Sequence, residues 1–377
     1  MTKLSVKIKR KVKIIMGNDF DSFSVCFNIM KLKYMQLSET LGRLNFLYPD
    51  DKVNIFINME SILKSLSMIK DIDRKIYSSR DFNEIMISNI VNLAAHYRKF
   101  FRGNNLDTRV YLYMTELENS EYNETELNPD FRSYYYVKYT KNPKYLDMTD
   151  KLNNIIIPKS KEIMNYIKGV YFLTSNNFDS SLIPLIVSKR ESDRKNIVIS
   201  SEYVDTQYSL YDNFICYYLR RSPIKSTTSC NIQEHITSLL NKTDNDYSNE
   251  FTLYLNKTFY VLLFSMIGEQ YRTIEKIPGV GSATLIKYLL QGINDKKITN
   301  NVFNIDTIAE VLPEHMREQV IENFSCLDFD TMLRKVTLTQ VNYITNQLID
   351  RFDHNGLMQI NSTIFYNHRL MLEELTL

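Results

Sequence analysis

The segment Gly169-Val-Tyr-Phe-Leu173, then a helical pattern over 181–189, then Asn196-Ile-Val-Ile-Ser200, decides the fold. Both short apolar runs have the length and the β-branched or aromatic content of buried strands. Strands that alternate with a helix are typical of β–α–β units, in which a crossover helix joins parallel strands. The segment therefore predicts a parallel sheet with helices on its faces.

Apolar patterns on either side extend this prediction. Val53-Asn-Ile-Phe-Ile57 and Arg109-Val-Tyr-Leu-Tyr-Met114 are two more predicted strands, and the stretch 80–101 between them has apolar residues at helical spacing. A helical pattern also covers 29–44. Beyond the sheet, helices are predicted over 253–267, 282–292, 304–311, 315–323 and 337–351.

The fold class is therefore α/β: a central, mostly parallel sheet with helices on both faces, followed by a helical domain. We predict a basic N-terminal extension at 1–50, the α/β domain at 51–220 and the helical domain at 221–377.

The net charge of the chain does not indicate binding to a polyanion over its whole surface. The formal net charge is only +2, so any surface that attracts a polyanion must be local. The N-terminal arm is the densest basic stretch, and it is either a solvated terminus or an arm that contacts nucleic acid. Its basic residues are Lys3, Lys7, Lys9, Arg10, Lys11 and Lys13.

The cysteines are far apart and form no Cys-x-x-Cys pair, which argues against a disulfide framework or a zinc knuckle. They are Cys26, Cys216, Cys230 and Cys326. No run of about 18 apolar residues and no signal-peptide pattern is present. We expect a cytoplasmic protein without a membrane partner, in a bacterial host cell if a phage encodes it.

The run Ile277-Pro278-Gly279-Val280-Gly281 holds two of only nine glycines in the chain and precedes a helical pattern. Glycine serves where the backbone needs a positive φ or a close approach. Unpaired N–H groups at the following helix start would suit a phosphate oxygen. The alternative is an ordinary tight turn between helices. The candidate DNA-binding residues are Gly279, Gly281, Ser282, Thr284, Lys276 and Lys287.

Five landmarks occur in a characteristic order, ending shortly before this turn. They are Ile57-Asn-Met-Glu-Ser61, the Tyr- and Lys-rich stretch 132–142, Asn177-Phe-Asp-Ser-Ser181, the stretch 200–207 and Ile267-Gly-Glu269. Over about residues 53–350 this order resembles the 5′-nuclease superfamily of flap endonucleases and bacteriophage 5′-to-3′ exonucleases. The resemblance implies a PIN-like α/β fold followed by a helix-hairpin-helix.

The resemblance also implies a cluster of acids that holds two divalent metals, and this chain departs from that pattern. Asn58 stands in place of the first Asp. The stretch 178–181, Phe-Asp-Ser-Ser, stands where Glu-Ala-Asp-Asp is expected. Glu202 keeps an acid, whereas Val204 removes the next one. The candidates for a degenerate site are Asn58, Glu60, Asp179, Glu202, Asp205 and Glu269.

Other alignments of these acids stay open. A shift of two residues would bring Asp205 into the site, and a slip of one residue would bring in Asp179. Alternatively, Glu202 and Glu269 are solvated or pair with nearby basic side chains. The tyrosine-rich run 134–139 either stacks on exposed bases or forms a strand or helix between core and surface.

Three functions remain as hypotheses. The first is a non-catalytic 5′-nuclease-like protein without a cofactor that binds duplex or branched DNA independently of sequence. Its setting would be phage-type replication, recombination or transcription, with other replication or transcription proteins as further partners. The second is an active, Mg-dependent 5′-to-3′ exonuclease or flap endonuclease. The third is a protein-assembly scaffold that uses the same fold.

Overall fold

The computed structural model describes the chain in several stretches. They are residue 48, 50–59, single helical positions from 83 to 98, 106–115, 152–165, 167, 169–176, 178–200, 204–218, 257–268, 274, 276–281, single helical positions from 284 to 292, 295, and 305–348. The N-terminal arm, the helical pattern over 29–44 and the tyrosine-rich run 134–139 lie outside these residues.

Among the residues that the structure describes, five strands form one sheet in which every neighbouring pair is parallel. The strand order is β3-β2-β1-β4-β5, so β1 lies at the centre. The strands are β1 (Lys52–Asn58), β2 (Asp107–Thr115), β3 (Val170–Ser175), β4 (Lys195–Ser200) and β5 (Phe214–Tyr218).

Both faces of the sheet are covered. Every residue of β1 after Lys52 is buried, as is every residue of β3, although successive side chains point to opposite faces. Near-continuous apolar strands of this kind are typical of parallel sheets with helices on both sides. The predicted α/β class and the parallel sheet are confirmed.

The four strands predicted from sequence are present within one or two residues of the expected positions. β5 is an additional strand, and it follows a turn in which Asn213 adopts a φ of 61°. Its run Phe-Ile-Cys-Tyr-Tyr pairs with β4, from Asn196↔Phe214 onward. A turn residue followed by an apolar and aromatic run is a local signal for this strand.

The described α-helices are α1 to α7, and a 3-10 helix of seven residues, Val204–Leu210, lies between β4 and β5. They are α1 (Ile157–Met164), α2 (Ile183–Arg190), α3 (Lys257–Ile267), α4 (Ile305–Val311), α5 (Glu314–Leu327), α6 (Phe329–Lys335) and α7 (Leu338–Asn346). A π-helical turn, Leu152–Ile156, precedes α1, and a 3-10 turn, Ser180–Leu182, precedes α2. The helical patterns matched α2 to α5 and α7, whereas α1 and α6 were not predicted.

Two hydrophobic cores organise these helices. Helices α2, α6 and α7 pack on the sheet face that carries Phe56, Tyr111 and Val198. Helices α3, α4 and α5 form a second core, which also takes in Ile277 and Val280 of the glycine run. Helices α6 and α7 therefore share a core with the sheet, although they follow the second core in sequence. The predicted domain boundaries stay a prediction.

A buried arginine, Arg194, links the amino-terminal ends of the central strands. The side chain of Arg194 is only 4% exposed. It donates to Asn54 Oδ1 at 2.7 Å, to Asp107 Oδ2 at 2.8 Å and to the Asp107 carbonyl oxygen at 2.7 Å. Because the planar guanidinium presents five donors in fixed directions, one side chain fixes β1, β2 and the start of β4 together.

Within the described parts of the chain, no helix combines the length and the apolar character needed to cross a membrane.

Candidate functional site

Short polar side chains end four of the parallel strands. β1 ends in Asn58, β2 in Thr115, β3 in Ser175 and β4 in Ser200. Because parallel strands run in one direction, these ends meet at a single edge, which we call the carboxyl edge. Ligands of open α/β sheets bind in the crevice outside this edge. The carboxyl edge is therefore the first place to look for a functional site.

Asp205 joins this edge from a 3-10 helix, Val204–Leu210, that follows β4. Its side chain is fully buried. Its Oδ2 atom accepts a hydrogen bond from Ser200 Oγ at 2.6 Å and another from Asn58 Nδ2 at 3.0 Å. Hydrogen bonds of this kind stabilise a buried carboxylate because they replace water as the donor. The structure thus brings together Asn58 and Asp205, which are 147 positions apart in sequence.

Asp179 lies at the start of the 3-10 turn before α2 and caps it. Its Oδ1 atom accepts from the backbone N–H of Ser181 at 2.9 Å and from Ser181 Oγ at 2.5 Å. Aspartate is a favoured capping residue because its oxygen pairs with N–H groups that the first helical turn leaves without partners. The Asp179 carboxylate therefore stabilises the 3-10 turn that it precedes, through its hydrogen bonds with Ser181.

The residues on either side of Asp179 face the interior. Phe178 is 1% exposed and belongs to the core between the sheet and helices α2, α6 and α7. Ser180 is also buried, and its backbone N–H donates to Thr115 Oγ1 at 3.4 Å. At the position where the resemblance implies a metal-binding Glu, the chain has an aromatic side chain within an apolar core.

The resemblance implies divalent metals, and the described donors at the carboxyl edge do not fit them. Mg²⁺ needs oxygen lone pairs directed at it, preferably from carboxylates. Here Asp205 Oδ2 already accepts two hydrogen atoms, and Asn58 turns its NH₂ group, a donor, toward it. No group of three or more His, Cys, Asp and Glu residues that could hold a metal occurs within the described stretches.

The glycine run forms a turn of a recognisable type. The N–H of Val280 donates to the carbonyl oxygen of Ile277 at 3.2 Å, which closes a four-residue turn. Pro278 occupies its second position, and Gly279, with a φ of 75°, occupies its third. Proline followed by a residue with positive φ is the signature of a type II turn. The sequence therefore needs glycine at 279 for a conformational reason.

Burial divides the turn into an inner and an outer side. Ile277 and Val280 are 3% and 1% exposed and pack into the second core. Pro278 and Gly279 are exposed, and a Cβ built on Gly279 or Gly281 would meet nothing within 4 Å. The two apolar residues anchor the turn, and its glycine backbone faces open space into which a ligand can approach closely.

Gly268, at the end of α3, explains why the landmark Ile267-Gly268 precedes this turn. It has a φ of 80°, and its backbone packs against the segment that leads into the turn. The N–H of Ile277 also donates to the carbonyl oxygen of Met266 at 3.0 Å. The end of α3 and the glycine turn are therefore held together through their backbones.

The other predicted DNA-binding residues precede or follow this turn in sequence. Lys276 and Lys287 are exposed, and Thr284 is partly exposed. Thr284, Lys287 and Tyr288 are helical. Ser282 lies outside the described residues, as do Glu60, Glu202 and Glu269 of the predicted acid cluster. Their roles stay predictions.

Ser200 and Tyr208, near the carboxyl edge, were not among the predicted site residues. Ser200 donates to Asp205, and the hydroxyl of Tyr208 donates to the carbonyl oxygen of Ser181. The polar end of an otherwise apolar strand pointed to Ser200. No local signal pointed to Tyr208, because its partner is a backbone group in a distant segment.

No family model matches the sequence, and no curated protein matches it significantly. Several solved structures are similar to this chain, including the following three. A flap endonuclease of bacteriophage T5, in a complex with DNA and metal ions, has 12% identity over 80% of this chain and 100% of that chain, with a TM-score of 0.47. The T5 5′-exonuclease with bound zinc has 11% identity over 86% and 98%, with a TM-score of 0.42. The catalytic core of Rad2, in a complex with a DNA substrate, has 12% identity over 82% and 92%, with a TM-score of 0.37.

The two T5 proteins are a flap endonuclease and a 5′-exonuclease, and the order of sequence landmarks resembles proteins of that class. Identity at this level does not define the chemistry of the carboxyl edge, which follows from the residues present there.

Proposed function

We propose that this chain is a non-catalytic, 5′-nuclease-like protein that binds the backbone of duplex or branched DNA without reading its sequence. Its setting would be phage-type DNA replication, recombination or transcription. The hydrogen bond from Asn58 Nδ2 to Asp205 Oδ2, 3.0 Å long, carries this proposal. A neutral amide stands where the resemblance implies an acid, and it engages the one carboxylate that the 3-10 helix delivers to the edge.

The glycine turn supplies the DNA-binding part of the proposal. Its backbone at Gly279 and Gly281 carries no side chain that would obstruct a phosphate group, and Lys276 and Lys287 are exposed on either side of it in sequence. Contacts to the phosphate backbone position a protein on DNA without carrying sequence information. The expected binding is therefore independent of sequence and weakens as salt rises.

A cleavage assay tests the non-catalytic part. The purified protein is incubated with a 5′-flap substrate and either Mg²⁺ or Mn²⁺, and we expect no product. Metal-dependent product that disappears in the Glu202→Ala variant would overturn this part of the proposal.

A binding assay tests the role of the turn. Gly281→Glu places a negative charge beside the proposed phosphate contact, at a position where a Cβ meets nothing within 4 Å. We expect affinity for forked DNA to fall by about tenfold or more, because a phosphate contact becomes a charge repulsion. Leu338→Glu is the matched control, since it adds the same charge at a side chain that is 75% exposed on α7. Equal affinity of the two variants would exclude the turn as a DNA grip.

One observation favours the second hypothesis, an active Mg-dependent 5′-to-3′ exonuclease or flap endonuclease. Asp205 lies at the carboxyl edge, as the shifted alignment of the acids requires. That activity would need further ligands from Glu60, Glu202 and Glu269. The cleavage assay decides between the two functions.

A further inference from the structure

We propose that Gln207 is a positioning residue that fixes the glycine turn relative to the carboxyl edge, and so sets the preference for branched over plain duplex DNA. The inference rests on the proposed function, because it assumes that DNA contacts the turn. Gln207 belongs to the 3-10 helix Val204–Leu210, which contacts both the carboxyl edge and the second hydrophobic core.

This 3-10 helix is seven residues long, whereas most 3-10 helices have three or four. With three residues per turn, residues three apart lie on the same side of such a helix. Asp205 and Tyr208 share one side and bond to Ser200 and to Ser181 at the carboxyl edge. Gln207 and Leu210 share another side, so the same helix can contact two structures at once.

The side chain of Gln207 joins the ends of two consecutive helices. It is fully buried. Its Nε2 atom donates to the carbonyl oxygen of Leu327, at the end of α5, at 3.0 Å. Its Oε1 atom accepts from the N–H of Phe329, at the start of α6, at 3.3 Å. Helix ends leave such backbone groups without partners inside the helix, so one amide satisfies a group at each end.

The junction between α5 and α6 is connected in turn to the glycine turn. Asn323 of α5 donates from Nδ2 to the carbonyl oxygen of Ser265 in α3 at 2.8 Å, and both side chains are buried. Helices α3 and α5 share their core with Ile277 and Val280 of the turn. Leu210 packs against the same core.

A continuous set of contacts therefore runs from Asp205 at the carboxyl edge, through the 3-10 helix and α5, to the glycine turn. A plain duplex that contacts only the turn does not depend on this spacing. A branched DNA that contacts the turn and the carboxyl edge together does depend on it, because both surfaces must match the same ligand.

The test uses Gln207→Met, which keeps the length of the side chain but removes both hydrogen bonds. Affinities for a forked DNA and for a plain duplex of equal length are measured by fluorescence anisotropy at one salt concentration. We expect the ratio of the two affinities to fall by about tenfold, while affinity for the plain duplex stays within about twofold of the native value.

Gln347→Met is the matched control. Gln347 also bonds to a backbone pair, since it donates to the carbonyl oxygen of Thr174 at 2.9 Å and accepts from its N–H at 3.0 Å. That bridge joins the end of α7 to β3 and lies outside the path to the turn, so the affinity ratio should not change. Equal ratios in the native protein and in Gln207→Met, or a parallel loss for both DNAs, would overturn the inference.

A second variant keeps the test decisive if Gln207→Met does not fold. Leu210→Ala shortens a partly buried side chain on the same side of the 3-10 helix and removes no hydrogen-bonding group. We expect the same selective loss for forked DNA, by about threefold. An unchanged ratio in a folded Leu210→Ala protein counts against the inference. Failure of the native protein to bind either DNA contradicts the proposed function itself, whereas a changed ratio of the two affinities concerns Gln207 alone.

Discussion

The backbone of Gly268 and the backbone of Lys276 are in such close contact that they exclude a side chain. A Cβ built on Gly268 would lie 2.7 Å from the Lys276 amide nitrogen and 2.9 Å from the carbonyl oxygen of Ile274. Gly268 also has a φ of 80°, a backbone conformation that residues with a Cβ atom rarely adopt. This contact joins the end of α3 to the segment that enters the glycine turn.

The first prediction concerns this contact. We expect Gly268→Ala to lower the free energy of unfolding by about 2–4 kcal/mol, because it combines left-handed strain with a clash against backbone atoms that cannot rotate away. Urea unfolding followed by circular dichroism measures the change. Gly281→Ala is the control, since its Cβ has open space and its φ lies outside the left-handed region. A similar loss in both variants would contradict the steric explanation.

The sequence predicted the central strands well because each is a contiguous apolar run that only a sheet covered on both faces can bury. Periodicity alone was weaker where elements are short. Helix α6, Phe329–Lys335, has seven residues, and Asp328 defines its start by accepting from the N–H of Thr331 at 2.8 Å. That capping signal was present in the sequence but had no long apolar pattern behind it.

The candidate site was only partly predictable for a different reason. Asn58 and Asp205 were both named as candidates, but their pairing depends on β1 and β4 being neighbours in the sheet. The role of Gln207 could not be read from sequence at all, because its partners are backbone groups of Leu327 and Phe329. Any residue type at position 327 offers the same carbonyl group, and any residue type except proline at position 329 offers the same N–H group.

The second prediction concerns the buried Arg194. We expect Arg194→Lys to lower the free energy of unfolding by about 2–4 kcal/mol, because an ammonium group cannot reach Asn54 and Asp107 with the fork of donors that both now receive. Thermal or urea unfolding at neutral pH measures the loss. Arg190→Lys, at an exposed position, should change stability by no more than about 0.5 kcal/mol. Equal stability of the two variants would show that the guanidinium geometry is unimportant.

The third prediction is a pH dependence from the same network. The hydrogen bond from Arg194 holds the pKa of Asp107 below its usual value. Because the folded-state pKa lies below the unfolded value of about 3.9, ionised Asp107 stabilises the fold above that pH. The stabilisation is lost as the pH falls through the folded-state pKa. Asp107→Asn should therefore reduce the slope of stability against pH below about pH 4.

Unfolding measurements at a series of acid pH values, compared with the native protein, give this slope. The effect at neutral pH should be small, since the Asp107 side chain is 60% exposed and solvent screens its ion pair. Asp193→Asn is a suitable comparison, because the pKa of Asp193 is also lowered, by a hydrogen bond from Lys52, but both partners lie at the surface. If the free energy of unfolding of Asp107→Asn changes with acid pH as steeply as that of the native protein, Asp107 is not the titrating group.

The fourth prediction tests whether the Asn58–Asp205 hydrogen bond stands in place of a metal site. Asn58→Asp would set two carboxyl groups about 3 Å apart in a buried position, and we expect a loss of about 2–4 kcal/mol at neutral pH. Millimolar Mg²⁺ or Mn²⁺ should restore part of this stability, because a ligand that binds only the folded state stabilises it by mass action. The melting temperature of the native protein should not differ between EDTA and Mg²⁺.

The exchanged pair, Asn58→Asp with Asp205→Asn, keeps a single carboxylate and should therefore regain stability without responding to either metal. A native protein that loses stability in EDTA would mean that the carboxyl edge already holds a divalent ion, and the non-catalytic assignment would then fail.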